Sequence, residues 1–283
     1  MPTSRKRKRQ AGRDQRRRSK PTLSPTVGAP KALTGHGPDG PVLGADLPAG
    51  LSAIRLARPD ESTIWRELTS LAQVPPEPFL ESAIASGTVS SLLLPAARSR
   101  PGRIQLERAA AKVEARAVQM PNTLEEELLR FVAGVALPLV AVDDEGTLVG
   151  ALQAMVSGVT VMGLLQQRFP LSTVMSFATK VVKIAAVGVT PSAGRRGVGQ
   201  SLLRACCQTY FAAEYDLVHG SFRRADAPAL APFYERAGFE LPSTAITFTL
   251  NGRPAVLDVD VDDQQLFAMN RERWLDVQAR RGD

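Results

Sequence analysis

From residue 51 onward the apolar positions recur first at every second residue and then at every third or fourth, and the changes of period mark the elements. Residues 51–58 (Leu-Ser-Ala-Ile-Arg-Leu-Ala-Arg) alternate apolar with polar and predict a strand. Pro59-Asp60-Glu61-Ser62 then opens a helix, with acidic residues near its positive end and Ile64, Trp65, Leu68 and Leu71 on one face. Pro75, Pro76 and Pro78 break the chain before a second helical stretch over 79–85. Within 87–120, residues 97–103 read as a loop and the Ala/Arg/Glu-rich 106–118 as a candidate helix. Asn122-Thr123 followed by Glu125-Glu126 marks a helix start leading into Leu128, Leu129 and Phe131.

Two apolar runs over 139–152 flank Asp144-Glu145-Gly146, the pattern of a β-hairpin. Residues 158–178 read as a lid or crossing segment, apolar but interrupted by Pro170. A β-rich run over 181–190 meets Pro191 and a glycine-rich turn. After it come a helix over 200–213, a strand over 217–221, a helix over 227–237, and a last pair of strands near 245–250 and 255–261. A hairpin followed by alternating strands and helices predicts an α+β, or mixed α/β, class.

Composition is that of an ordinary globular chain of 283 residues, with 44% hydrophobic and 22% charged residues. The longest apolar run, 148–165, carries Gln153, Ser157, Thr160 and three glycines, so it reads as strand plus loop and not as a membrane span. No apolar leader follows Met1, and the two cysteines, Cys206 and Cys207, are adjacent and cannot staple distant segments. The expectation is a reduced, cytoplasmic protein, monomeric or homodimeric, with no membrane partner.

The net charge of +7 is uneven. Residues 1–20 hold ten cations against one carboxylate, which leaves 25 against 27 for residues 21–283, a mildly acidic body. Residues 1–50 are therefore expected to be a disordered basic arm, rich in Pro and Gly after residue 20, able to dock weakly on polyanions through residues 1–20. The ordered domain is expected over 51–283.

The stretch Val187-Gly-Val-Thr-Pro-Ser-Ala-Gly-Arg-Arg-Gly-Val-Gly-Gln200 carries the chemistry. A strand runs into a loop with Gly194, Gly197 and Gly199, and a helix starts at once. Such a turn exposes backbone N–H groups at the positive end of a helix, an anion site, with Arg195 and Arg196 beside it. A P-loop is excluded because no Gly-Lys-Ser/Thr follows, and the dinucleotide fingerprint fails because no glycine lies three residues after Gly199.

Taken with Phe233-Tyr-Glu-Arg-Ala-Gly-Phe239 downstream, this order resembles the GNAT superfamily of acetyl-CoA-dependent N-acetyltransferases. Gly197 and Gly199 match its loop motif, and Tyr234, Glu235, Gly238 and Phe239 match its second motif. Residues 142–150 look like its second and third strands. The resemblance spans about 51–250, with insertions near 87–120 and 158–178. Two departures stand out: Gly194 sits where the family carries Gln or Arg, and Ala227 where many members carry Asn.

The resemblance implies a central, mostly antiparallel sheet flanked by helices and splayed between its fourth and fifth strands. It implies acetyl-CoA bound along Val187, Gly188 and Val189 and at the loop formed by Gly194, Arg195, Arg196, Gly197, Val198, Gly199 and Gln200. It further implies transfer of the acetyl group to a primary amine of a small molecule or peptide, with Tyr234 as general acid to the leaving thiolate. The base is not implied: the central strand has no carboxylate, and His219, with an ordinary pKa of about 6.5, is the candidate. The acidic body suits a cationic acceptor. No metal site is expected, since the His and Cys spacing offers no ligand set. The rival functions are a non-catalytic acyl-CoA-binding or regulatory module, and a nucleic-acid- or ribosome-associated protein acting through its basic arm.

Overall fold

A computed structural model describes residues 47–74, 77–250, 253–258 and 263–282, together with the dipeptides His36–Gly37 and Gly40–Pro41. The basic arm expected at residues 1–20 lies outside the described residues. Of the stretch 1–50, these two dipeptides, paired antiparallel, and residues 47–50 are described, and residues 47–50 turn into the first strand through a bond from Leu51 N to Pro48 O of 3.1 Å.

A six-stranded sheet organises the chain. Its strands are β1 (Leu51–Leu56), β2 (Leu137–Asp143), β3 (Leu148–Met155), β4 (Val181–Val189), β5 (Leu217–Arg223) and β8 (Gln264–Asn270). They lie in the order β8-β5-β4-β3-β2-β1, and every neighbouring pair is antiparallel except β4 with β5. A separate hairpin joins β6 (Ala245–Leu250) to β7 (Arg253–Asp258). The architecture is the mixed α/β class that the element order predicts.

Helices cover both faces. On one lies α1 (Ser62–Ser70), whose apolar stripe buries Trp65 and Leu68. Gly188 of β4 lets α1 approach: a Cβ there would overlap the Leu68 carbonyl oxygen. On the other lies α8 (Val198–Ala212), with Val198 and Leu202 packed over Gly150 of β3. Arg55, buried in β1, grips Glu61 in a bidentate pair, Nη1 to Oε2 at 2.7 Å and Nη2 to Oε1 at 2.6 Å, which ties the start of α1 to the sheet edge.

Several segments depart from the sequence reading. Residues 97–103, expected as a loop, are helical: α3 (Leu93–Arg98) is followed at once by α4 (Arg100–Gln119). Pro101 sits in the first turn, where its missing N–H costs nothing, and the Ser99 hydroxyl caps the helix by accepting from Gly102 N at 3.2 Å. The lid expected over 158–178 is two helices, α6 (Gly158–Gln166) and α7 (Leu171–Ala178), with Pro170 at the boundary. The chain does not end on a strand pair. It adds β8 alongside β5, and α10 (Arg271–Gly282), whose Trp274 stacks on Phe211 of α8 at 5.8 Å.

One irregularity sets up the site. Gln153 pairs with Ala186 but Ala154 pairs with Ile184, so Ala185 is an extra residue in β4. Beyond this bulge the faces of β4 exchange. Gly188 and Ala186 face α1, and so does Lys183, the register partner of Met155. The parallel pairing of β4 with β5 ends there too. Its rungs are Val181 with Leu217, Val182 with Val218 and Lys183 with His219, and the rest of the two strands is not paired.

Candidate active site

The loop after β4 presents a row of backbone donors. Arg195 and Gly197 stand in the left-handed region, at φ 60° and 82°, and Gly197 is the N-cap of α8. Alternation of left- and right-handed residues turns successive N–H groups to one side, and the first turn of a helix adds its own unpaired donors. The first helical bond of α8 runs from Ser201 N to Gly197 O at 3.0 Å. Among the described residues no group accepts from the N–H of any residue in 195–200. Gly194 has φ −59° and ψ 148°, a conformation open to any residue, so its departure from the family pattern removes a side chain without bending the loop.

The two arginines differ. Arg195 is exposed and has no partner among the described residues. Arg196 folds back over Gly50 and donates from Nη2 to Ala49 O at 3.4 Å, while Pro48 packs against Gly197. The chain entering β1 thus borders the loop. Gly199 sits under the Phe233 ring, where a Cβ would approach Cε2 to 3.1 Å.

Val187, Gly188 and Val189 bond on one edge to Leu152, Ala151 and Gly150 of β3. Their other edge faces the gap left where β5 parts from β4. Tyr234 lies on α9 (Ala227–Ala237), 8% exposed, with its ring packed against those of Phe222 and Phe267. Burial pushes its phenol well above the usual range, so it stays protonated, and among the described residues its hydroxyl has no hydrogen-bond partner.

His219 sits at the last rung of β4 and β5, 4% exposed, with its Nε2 unpartnered. Burial, with the Lys183 charge next to it, pushes its pKa down to about 3. So placed, the ring is neutral but a poor proton acceptor, which counts against the base role suggested by its ordinary pKa. Cys206 and Cys207 are free and buried in α8, and burial pushes both thiols up, away from reactivity. Among the described residues no cluster of His, Cys, Asp and Glu could hold a metal ion.

Two groups escaped the sequence reading. Lys183 shares the α1 face with His219 and Gln153. It is half-buried and, among the described residues, has neither an ion pair nor a hydrogen bond. Gln153 is 1% exposed, and its Nε2 donates to Met155 Sδ at 3.4 Å while its Oε1 is unpartnered. The signal was present: a lysine in the apolar run Val-Val-Lys-Ile-Ala-Ala-Val is out of place, since lysine is almost never buried without a partner.

The acetyltransferase (GNAT) domain family model matches residues 137–241, from β2 to the end of α9 and the turn after it. Comparison with curated proteins finds no match. Among solved structures, nourseothricin acetyltransferase is 20% identical, with 48% of this chain and 65% of that chain covered and a TM-score of 0.30. The match thus spans a little under two thirds of that enzyme's length. A GNAT family acetyltransferase from Elizabethkingia anophelis with acetyl-CoA bound is 14% identical, over 51% of this chain and 82% of that one, with a TM-score of 0.32. The ribosomal-protein-S18-alanine N-acetyltransferase from Escherichia coli is 13% identical, over 77% of this chain and 92% of that one, with a TM-score of 0.38. Residues 137–241, which hold that loop and that parting of β4 from β5, are thus the stretch of this chain that resembles an acetyltransferase (GNAT) domain.

Proposed function

We propose that the protein moves the acetyl group of acetyl-CoA onto a primary amine, in the gap where β4 and β5 part. The observation that carries this reading is the run of unpartnered N–H groups at residues 195–200, set where α8 begins and at the end of that gap. The residues fit the co-substrate: a positive helix end with glycine at its cap accepts a pyrophosphate, and the unpaired edge of residues 184–189 offers donors and acceptors to the amides of an extended arm. Acetyl-CoA supplies a thioester, an acetyl group already activated toward amines.

The loop amides, aided by Arg195, hold the pyrophosphate. The free edge of β4 orients the arm toward Lys183 and His219. Tyr234 keeps its proton through neutral pH and gives it to the departing sulfur. An alkyl amine, with a pKa of roughly 10, must shed a proton before attack. Burial and the Lys183 charge hold the His219 imidazole well below its ordinary pKa, so in this reading the amine loses that proton to bulk solvent and attacks from its neutral fraction, without His219 as base. The free thiols of Cys206 and Cys207 accord with a reducing compartment, and the reading places the reaction in the cytoplasm.

Calorimetric titration of acetyl-CoA into the full chain, followed by a thiol-release assay with an amine panel, tests the reading. Micromolar binding and amine-dependent release are expected. No heat at several temperatures would overturn it.

A further inference from the structure

Three polar groups on the α1 face of the sheet have bonding capacity that nothing among the described residues takes up. Lys183 and His219 form the last rung before β4 and β5 part, and Gln153 stands on the adjoining strand two residues from the register partner of Lys183. The imidazole Nε2 and the amide Oε1 are both buried and unbonded. The Lys183 side chain is half-buried. Burial pushes its pKa down, and the field of Glu77, an exposed residue, pushes it back up. A half-buried cation with no ion pair among the described residues, beside buried hydrogen-bonding atoms that lack partners, is a place where a ligand of complementary charge can complete the set.

We propose that the acceptor amine carries a carboxylate, that Lys183 binds that carboxylate beside the His219 ring, and that the Gln153 Oε1 accepts from the amine's N–H. This rests on the acetyl-transfer reading above. One ammonium with one neutral ring matches the single charge and two oxygens of a carboxylate, whereas a phosphate dianion would keep charge uncompensated; the Gln153 Oε1, an acceptor, suits the amine N–H instead. The co-substrate's own phosphates are the other available anion, and distance separates them from this cluster. Val189, where the anion loop begins, lies six residues along β4 from Lys183, about 20 Å at ~3.3 Å per residue. The same cation repels a polyamine, so the acceptor class inferred here is the opposite of the cationic one that the acidic body suggests.

The test compares matched amines that differ only in the carboxylate: glycine with methylamine, β-alanine with ethylamine, lysine with cadaverine, phenylalanine with phenethylamine. Full-length protein is used, and its acetyl-CoA affinity is measured first. Expected is a kcat/KM at least about tenfold higher for the carboxylate member of the accepted pair, expressed mainly in KM. In Lys183→Met that preference should collapse toward one, and in Lys183→Arg, which keeps the charge, it should largely return. Binding of acetyl-CoA with preference for the decarboxylated members, or with none of the panel's carboxylates acetylated, overturns the inference and leaves the acetyl-transfer reading standing. A Lys183→Met variant that weakens acetyl-CoA binding and slows both members equally would assign Lys183 to the co-substrate and also overturn it. Absence of acetyl-CoA binding by the wild-type chain sinks the acetyl-transfer reading itself, and the inference with it. The wild-type panel needs no variant, so a misfolded Lys183→Met does not shield the proposal.

Discussion

The rings of Tyr234 and Phe267 lie nearly face to face, 3.8 Å between centroids and tilted by 16°. Phe222 stacks on the same tyrosine at 5.4 Å. The ring is thus fixed by packing and its hydroxyl by nothing among the described residues, so the two roles separate. Tyr234→Phe should keep its unfolding free energy within about 0.5 kcal/mol of wild type. Its kcat should fall by about 100-fold or more, the contribution of a positioned general acid. Unchanged turnover would remove Tyr234 from the chemistry.

His219 should leave a signature in the pH dependence of stability. Its pKa is 6.5 in an unstructured chain and about 3 when folded. Between those values the unfolded chain binds a proton that the folded protein refuses, so stability falls as the pH is lowered through that window. The slope approaches ~1.4 kcal/mol per pH unit at its steepest. Urea unfolding at intervals from pH 7 to pH 4 reads it directly. His219→Gln, which has no titrating group, should flatten the curve.

Glu61 acts at lower pH. Burial pushes its carboxyl up, but the Arg55 pair, the Arg58 amide and the charges of both arginines outweigh it, and the pKa ends below its usual 4.5. Its contribution is therefore complete above about pH 4.5 and disappears as the pH falls through the folded value. Arg55→Met strands that carboxylate at the buried edge of β1, and a loss of about 3 kcal/mol is expected at pH 7. Protonation then relieves the strain, so the gap between variant and wild type should narrow as the pH falls toward 4.

The two loop arginines should differ in their effect on acetyl-CoA affinity. Arg195 is exposed and unengaged, whereas Arg196 is committed to Ala49. Arg195→Ala should weaken binding by roughly two- to fivefold, an exposed-charge effect that shrinks with added salt. Arg196→Ala should do less to affinity. Equal losses from the two would show that the contact with Ala49 opens when acetyl-CoA binds.

Gly188→Ala should destabilise the protein outright. The added methyl meets main chain, the Leu68 carbonyl, which no rotamer change can move. Displacing α1 from the sheet should cost about 1–3 kcal/mol, read as a lower urea midpoint at unchanged slope.

The strand-loop-helix unit around residues 181–213 was legible because its glycines and its apolar run carry local meaning. Gly197 needs its positive φ at the head of α8, and alternation along β4 is visible residue by residue. The start of α4 was not legible. Pro101 and Gly102 read as breakers, yet the proline falls in a first turn, and the glycine is demanded by a distant neighbour, because a Cβ on Gly102 would overlap the Pro95 carbonyl. The same holds for the site. The loop follows from local spacing, but the meeting of Gln153, Lys183 and His219 depends on the extra residue at Ala185, and a bulge is set by pairing between strands.

The three rungs joining β4 to β5 have a mechanical consequence. Strands β1 to β4 form one plate, and β5 with β8 another, and among the described residues this narrow isthmus is all the sheet bonding they share. The sheet is compliant at that line, so the width of the gap is set by what fills it as much as by the hydrogen-bond ladder. A ligand laid along the edge from Ile184 to Val189 would act as a splint, and the slowing of amide exchange at those residues would report its arrival independently of any chemistry.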